Sequence, residues 1–193
     1  MSENKEPWEM SCLEKIVAEA SDQFIDFGIK SVSMDDVARA LAISKKTLYL
    51  YVKNKENLLS LIANSLSSIF DDQLSSCCNQ MDNTPKERLK YLGDYILLFT
   101  QENYQFLEQL KKRYPVIWEE LYRRQRMTIE NILDPLYYQM TSDHSLKEEI
   151  DSSTLRYVFT NACQLKGYEG MKKEDWVFHR NLTNALIDGL FHQ

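Results

Sequence analysis

The sequence predicts an all-α protein of about nine helices: an N-terminal three-helix unit with a helix-turn-helix, followed by a larger helical domain. The chain has 193 residues, of which only 5 are Gly and 4 are Pro, while 44% are hydrophobic. Because sheet proteins of this length need many turns, so few Gly and Pro residues favour long helices with short connections. Apolar residues that recur at intervals of three and four, and closely spaced helix caps, indicate the same class.

The first helix and the start of the second are marked by residues typical of helix ends. Apolar residues recur on one face from about Trp8 to Phe27, and Gly28 then stands where a helix C-cap is expected. Ser33 is followed three residues later by Asp36, a spacing that resembles a capping box. The second helix is therefore predicted to begin directly after Ser33.

Two further caps complete the N-terminal unit. The second helix is predicted to stop near Ala42, and Ser44 then caps a short third helix that runs through about Tyr51. Asn54 can cap the fourth helix. Three capped helices at this spacing predict a helix-turn-helix, and we place the domain boundary so that residues 1–54 form one domain and residues 55–193 the other.

The remaining helices are longer and less sharply bounded. Pro85 and Pro115 suit first-turn positions, whereas Pro135 lies inside a helical pattern and is expected to kink or interrupt its helix. No strand is predicted. The predicted helices cover about 55–80, 85–101, 103–113, 116–140, 146–167 and 173–191.

The charge distribution is uneven in a way that matters for function. The chain carries a net charge of −6, yet residues 44–55 contain four lysines and no acid. A local basic segment can bind nucleic acid even when the whole protein is acidic, because only the contacting surface has to be positive.

The basic segment lies within a longer resemblance, carried by SMDDVA at residues 33–38 and LAISKKTLYLYVKNKENLL at residues 41–59. This run resembles the DNA-binding domain of TetR-family transcriptional repressors. The chain differs from that family's usual pattern at two positions, where Ala42 replaces a turn glycine and Val52 replaces a phenylalanine. The resemblance implies a homodimer that binds a palindromic operator in double-stranded DNA and is released by a small hydrophobic or aromatic molecule.

The expected DNA contacts follow from the position of each residue on the third helix. Leu48 points away from Lys46 and can seal the helix against the core, while the first turn faces the bases. Leu50 either contacts a thymine methyl group or packs against the first helix. The base-reading candidates are Lys45, Lys46, Thr47 and Leu50. The resemblance implies phosphate contacts from Tyr49, Tyr51 and Lys55, and Ser33 and Met34 could present backbone N–H groups to phosphate.

Two sets of residues are candidates for the other contacts of such a regulator. Apolar stripes on the last two helices could form a four-helix dimer interface, or could simply fill the core of one chain. The dimer candidates are Leu155, Phe159, Ala162, Leu182, Leu186 and Leu190. Aromatic residues of the middle helices could line an effector pocket or an ordinary core. The pocket candidates are Tyr95, Phe99, Trp118 and Tyr122.

Other functions find no support in the sequence. No catalytic motif, phosphate-binding glycine loop or zinc-ligand spacing is present, so we expect no enzyme activity, metal or cofactor. Without a signal peptide or a long apolar run, we expect a cytoplasmic protein, with Cys77 and Cys78 as buried small hydrophobes. The alternative function is an architectural or activator protein of the same fold that binds DNA but no effector.

Overall fold

The computed structural model describes residues 11–80, 84–162 and 173–192, without the side chains of residues 77–80, 161–162 and 173–174. Cys77, Cys78 and the Ala162 side chain therefore lie outside the described parts. The described chain is all-α, as predicted. Its nine helices are α1 (Cys12–Phe27), α2 (Met34–Ala40), α3 (Lys45–Tyr51), α4 (Lys55–Gln80), α5 (Pro85–Glu102), α6 (Tyr104–Arg113), α7 (Pro115–Ser142), α8 (Ser152–Ala162) and α9 (Lys173–Leu190).

The helix caps act as the sequence indicates. The Ser33 hydroxyl accepts from the backbone N–H of Asp36, whose carboxylate in turn accepts from the Ser33 N–H, so the capping box is formed. Ser44 caps α3 through the N–H of Thr47, and Asn54 accepts from the N–H of Asn57 at the start of α4. These bonds satisfy donors that a helix N-terminus otherwise leaves unpaired.

The chain forms two compact units. The first unit comprises Met1–Asp72 and Asn103–Tyr122, and the second comprises Gln73–Glu102 and Arg123–Gln193. In the first unit α1 packs against α2, α3 and α6, whereas in the second α9 packs against α5 and α8. The domain boundary predicted between residues 54 and 55 divides the DNA-binding domain from the domain for effector binding and dimerisation, and it stays a prediction.

Gly28 ends α1 in a conformation that only glycine adopts readily. Its φ is +83°, and its N–H bonds to the carbonyl of Phe24. A Cβ at this position would clash with the Nε2 atom of Gln109, while Oε1 of Gln109 accepts from the N–H of Lys30. The absence of a side chain thus allows α6 to lie directly against the end of α1.

The predicted start of α8 is wrong, and the prediction for Pro135 is only partly tested. α8 begins at Ser152 and not at residue 146, because Asp151 caps it by accepting from the N–H of Thr154 at 2.6 Å. Leu146 instead forms an isolated antiparallel bridge with Phe191. Pro135 lies inside α7, which continues past it, so the helix is not interrupted there, and a kink at Pro135 stays a prediction.

Ala42 carries the strain of the turn between α2 and α3. Its φ is +52°, in the left-handed region that L-residues avoid. Hydrogen bonds from Ala42 N–H to Arg39 and from Ile43 N–H to Ala38 hold the turn in this form. The substitution of the family's usual glycine therefore leaves the geometry of the turn intact at a cost in free energy.

Replacing Ala42 with Gly should raise the free energy of unfolding by up to about 1 kcal/mol. Relief of the left-handed strain, about 1–2 kcal/mol, exceeds the extra entropy that glycine gives the unfolded chain, about 0.5–1 kcal/mol. Urea unfolding followed by circular dichroism measures the change. Ala40→Gly at the end of α2 is the matched control, and it should lower stability; equal losses from both variants would contradict the strain.

Candidate nucleic-acid interface

One side of helix α3 packs against the protein, and the opposite side is exposed. Leu48 is completely buried where α3 packs against α1 and α2. Burial of one leucine stabilises such a contact by about 1.5–3 kcal/mol. Because residues on the opposite side of a helix then face outward, the anchoring of Leu48 decides which side chains α3 offers to a partner.

The outward side of α3 combines apolar and aromatic groups without an acid. Leu50 is 76% exposed, and Tyr49 and Tyr51 are 42% and 43% exposed. Leu50 is therefore available at the surface and is not packed into the first helix, and its contact with a thymine methyl group stays a prediction. A short acid-free helix with exposed donors and apolar tips has the chemistry that major-groove recognition requires.

The two lysines in the first turn of α3 differ in their surroundings. Nζ of Lys45 lies 2.8 Å and 3.1 Å from the two carboxylate oxygens of Asp35, whose hydrogen bond and charge raise the pKa of Lys45. Lys46 forms no ion pair with any residue that the structure describes. Sequence reasoning missed Asp35, because a contact between residues ten positions apart leaves no periodic signal.

Tyr51 and Ser33, two other residues predicted to contact phosphate, also have hydrogen-bond partners within the protein. A hydrogen bond with the Cys12 side chain raises the pKa of Tyr51 above its ordinary value. The Ser33 N–H and hydroxyl both donate to Asp36. Met34 has a buried side chain, and its N–H lies in a first turn that has no intrahelical acceptor.

Lys55, the expected phosphate clamp, is turned into the protein. Its ammonium donates to the backbone carbonyls of Ile29 and Val32, the latter at 2.6 Å, and lies 5.3 Å from the centre of the Phe24 ring. Burial lowers the pKa of Lys55. The structure therefore gives Lys55 a role in holding the loop between α1 and α2, a role that the motif does not indicate.

Comparison with protein families identifies this interface. Residues 16–62, which include α2 and α3, match the family model described as bacterial regulatory proteins, tetR family. The chain carries the N-terminal domain of the TetR family. This match confirms the resemblance drawn from the motif. Among curated protein sequences, none is significantly similar to the chain.

Solved structures of regulators resemble the chain over nearly its whole length. A TetR/AcrR-family regulator from Thermobifida fusca YX-ER1 is 23% identical with a TM-score of 0.71, over 92% of this chain and 97% of that one. FadR from Bacillus subtilis, in complex with stearoyl-CoA, is 18% identical with a TM-score of 0.68, over 92% and 98%. AibR, in complex with isovaleryl coenzyme A and operator DNA, is 20% identical with a TM-score of 0.64, over 93% and 97%. At these identities the likeness shows the fold.

The second unit of the chain contains a cavity between α5 and α9. Its volume is about 440 Å³, within the range of small-ligand sites. Arg180 pairs with Asp94 through two hydrogen bonds of 2.8 Å and 2.6 Å in its wall. Its lining consists of Tyr91, Asp94, Tyr95, Leu97, Leu98, Gln101, Trp176, Val177 and Arg180.

The four predicted pocket residues are divided between the two units. Tyr95 lines the cavity, and the buried Phe99 ring lies 6.3 Å from that of Tyr95. Trp118 and Tyr122 belong to the first unit, where their rings stack at 5.8 Å. Their role in effector binding stays a prediction.

Gln125 is a polar residue in the second unit that sequence reasoning missed. It is completely buried on α7, in line with the apolar residues Ile129 and Leu133. Neither atom of its amide has a hydrogen-bond partner in the described parts of the chain. Because such a group is costly to bury, Gln125 marks a position where a polar ligand atom or a water molecule would be stabilised.

The predicted dimer residues also fall into two groups. Leu155, Phe159 and Leu190 are buried within the chain itself, which fits the core reading that the sequence left open. Leu182 and Leu186 are exposed on α9. The exposed face also includes Phe178, four residues before Leu182, which the sequence analysis did not select.

Neither a metal-binding cluster nor a membrane-spanning helix occurs in the residues that the structure describes. No group of three potential metal ligands occurs in residues 11–80, 84–162 and 173–192. None of the helices described has the length and apolar character needed to cross a membrane.

Proposed function

We propose that this TetR-family regulator is a homodimeric repressor, which binds a palindromic operator and leaves it when a small hydrophobic molecule binds. In this proposal residues 1–54 contact DNA, and residues 55–193 provide the dimer surface and the effector site. The observation that carries the proposal is the outward face of α3, which is acid-free, capped by Ser44 and anchored by the buried Leu48.

The side chains on that face of α3 have the chemistry needed to recognise DNA bases. Lys46 can donate to the O6 and N7 atoms of guanine, and the methyl groups of Thr47 and Leu50 can contact the methyl group of thymine. Tyr49 and Tyr51 are exposed enough for their hydroxyls to reach phosphate oxygens, which position a protein on the duplex. A single short helix reads few bases, so useful specificity needs two copies on adjacent half-sites.

The exposed face of α9 supports the dimer. Phe178, Leu182 and Leu186 follow one another at intervals of four residues and are 64%, 42% and 41% exposed. Contiguous exposed apolar side chains on a monomer are typical of an interface. A second copy of the same face would cover these side chains around a twofold axis.

The cavity between α5 and α9 supports an effector. Its aromatic and aliphatic lining suits a hydrophobic molecule, and the Arg180–Asp94 pair offers polar contacts. An effector that binds one conformation more tightly shifts the population toward that conformation and so changes DNA affinity. Since FadR binds stearoyl-CoA and AibR binds isovaleryl coenzyme A, acyl-CoA thioesters are the first effectors to test.

Selection from random duplex DNA by the purified protein, followed by sequencing, tests the proposal. We expect enrichment of a palindrome whose half-sites are about one helical turn apart. An enriched sequence without twofold symmetry would refute the dimeric mode. No enrichment at low salt would refute operator recognition itself. Titration of the selected complex with isovaleryl-CoA and stearoyl-CoA, followed by fluorescence anisotropy, then tests release, and unchanged affinity with both would reject acyl-CoA effectors.

The division of roles on α3 gives a separate prediction. Tyr49→Phe should weaken binding to operator and random DNA alike, because it removes a hydroxyl donor to phosphate. Lys46→Ala should instead alter the preferred base at one position in each half-site, with a loss of about 1–3 kcal/mol there. Repeating the selection with each variant measures both effects, and an unchanged base preference for Lys46→Ala would remove Lys46 from base reading.

A further inference from the structure

Asp35 places a negative charge beside the first turn of the DNA-facing helix. It lies in the first turn of α2, and its two carboxylate oxygens lie 2.8 Å and 3.1 Å from Nζ of Lys45, the first residue of α3. Both side chains are more than half exposed. The pair therefore lies at the surface of the interface and is accessible to DNA.

A lysine at this position would ordinarily add affinity for any DNA. An unpaired ammonium approaches phosphates of every sequence and releases counterions as it does so, which strengthens non-specific binding. A carboxylate that accepts from the same ammonium competes with phosphate and repels it. The pair thereby holds the Lys45 ammonium beside α2, from where its other N–H groups can still donate to base edges.

We propose that Asp35 is a specificity-determining residue, which withholds the Lys45 ammonium from non-specific phosphate contacts and so widens the difference between operator and random DNA. The proposal rests on the proposed operator binding. Exposed ion pairs are weak enough to be exchanged for other contacts, so the pair competes with phosphate without blocking the interface. Asp35 acts through Lys45 and is a positioning residue for it.

Binding of Asp35→Asn to random duplex DNA, measured against salt concentration by fluorescence anisotropy, is the test. Freeing Lys45 should tighten non-specific binding by roughly 3- to 10-fold at about 0.1 M salt, and steepen the slope of log K against log salt by about 0.9. Affinity for the selected operator should rise less, so the specificity ratio should fall. Asp35→Glu should restore the behaviour of the natural chain.

Two further variants distinguish an effect of Asp35 through Lys45 from a general effect of its negative charge on DNA binding. Asp26→Asn removes one exposed negative charge from α1 and should leave the slope unchanged. In a Lys45→Ala background, Asp35→Asn should have no further effect on the slope. An equal steepening with and without Lys45 would show repulsion by Asp35 alone and overturn the proposal, as would an unchanged slope in both backgrounds. A chain that selects no operator would instead refute the proposed function, because the slope on random DNA is measured independently of it.

Discussion

Replacing Leu182 and Leu186 together with glutamate is expected to convert the proposed dimer to a monomer. The two side chains are adjacent on the exposed face of α9, and a second copy would bury both. Four glutamates in the interface of two chains would then have to lose their hydration without partners, which costs several kcal/mol. Because the proposed dimer binds its two half-sites as a linked pair, loss of the dimer should weaken operator binding by about 100-fold or more.

Light scattering after size-exclusion chromatography measures the mass, and fluorescence anisotropy measures operator affinity. Val116→Glu is the matched control, since it introduces a charge at an apolar side chain of α7 that is 81% exposed. It should leave the mass unchanged. A double glutamate variant that remains dimeric with natural operator affinity would place the dimer surface elsewhere.

The N-terminal unit could be predicted closely because its signals are local. A serine that caps a helix and a carboxylate three residues later bond to each other whatever the rest of the chain does, as at Ser33 and Asp36. Leu48 was assigned to the buried side of α3 from helix geometry alone, and its complete burial agrees. The fold class follows from the same local signals together with the scarcity of turn residues.

For the C-terminal helices, local signals could not predict which apolar side chains are buried. Leu155 and Leu182 are both apolar residues on helical stripes, yet the first is buried within the chain and the second is exposed. Periodicity predicts that a helix has an apolar face. It does not predict whether residues of the same chain or of a second copy cover that face. Helix α9 has apolar residues on two faces, Trp176 on one and Phe178 on another, so a single stripe could not describe it.

The hydrogen-bond partners of the lysines could not be predicted from the sequence either. The motif predicts which donors lie near DNA, and it does not predict which of them already donate to groups within the protein. Lys45 donates to Asp35, and Lys55 donates to two backbone carbonyls. Each pairing joins residues from different helices or loops, and depends on the packed structure.

Lys55→Met should lower the free energy of unfolding by about 1–2 kcal/mol, since the carbonyls of Ile29 and Val32 lose a charged donor. Hydrogen bonds to charged groups contribute about 1.5–3 kcal/mol, and partial exposure reduces this because water can replace the ammonium. Methionine keeps the length of the side chain and its contact with Phe24. Urea unfolding measures the loss, and Lys53→Met, which removes an exposed charge from the neighbouring loop, should cost far less.

The salt dependence of DNA binding decides between the two roles of Lys55. As a phosphate clamp, Lys55 would contribute one released counterion, and Lys55→Met would flatten the slope of log K against log salt by about 0.9. As an internal donor, it contributes none, so we expect the slope to stay unchanged while affinity falls with the stability of the loop between α1 and α2. A flattened slope with unchanged stability would show that the ammonium leaves the two carbonyls when DNA binds, and would restore the role that the motif implies.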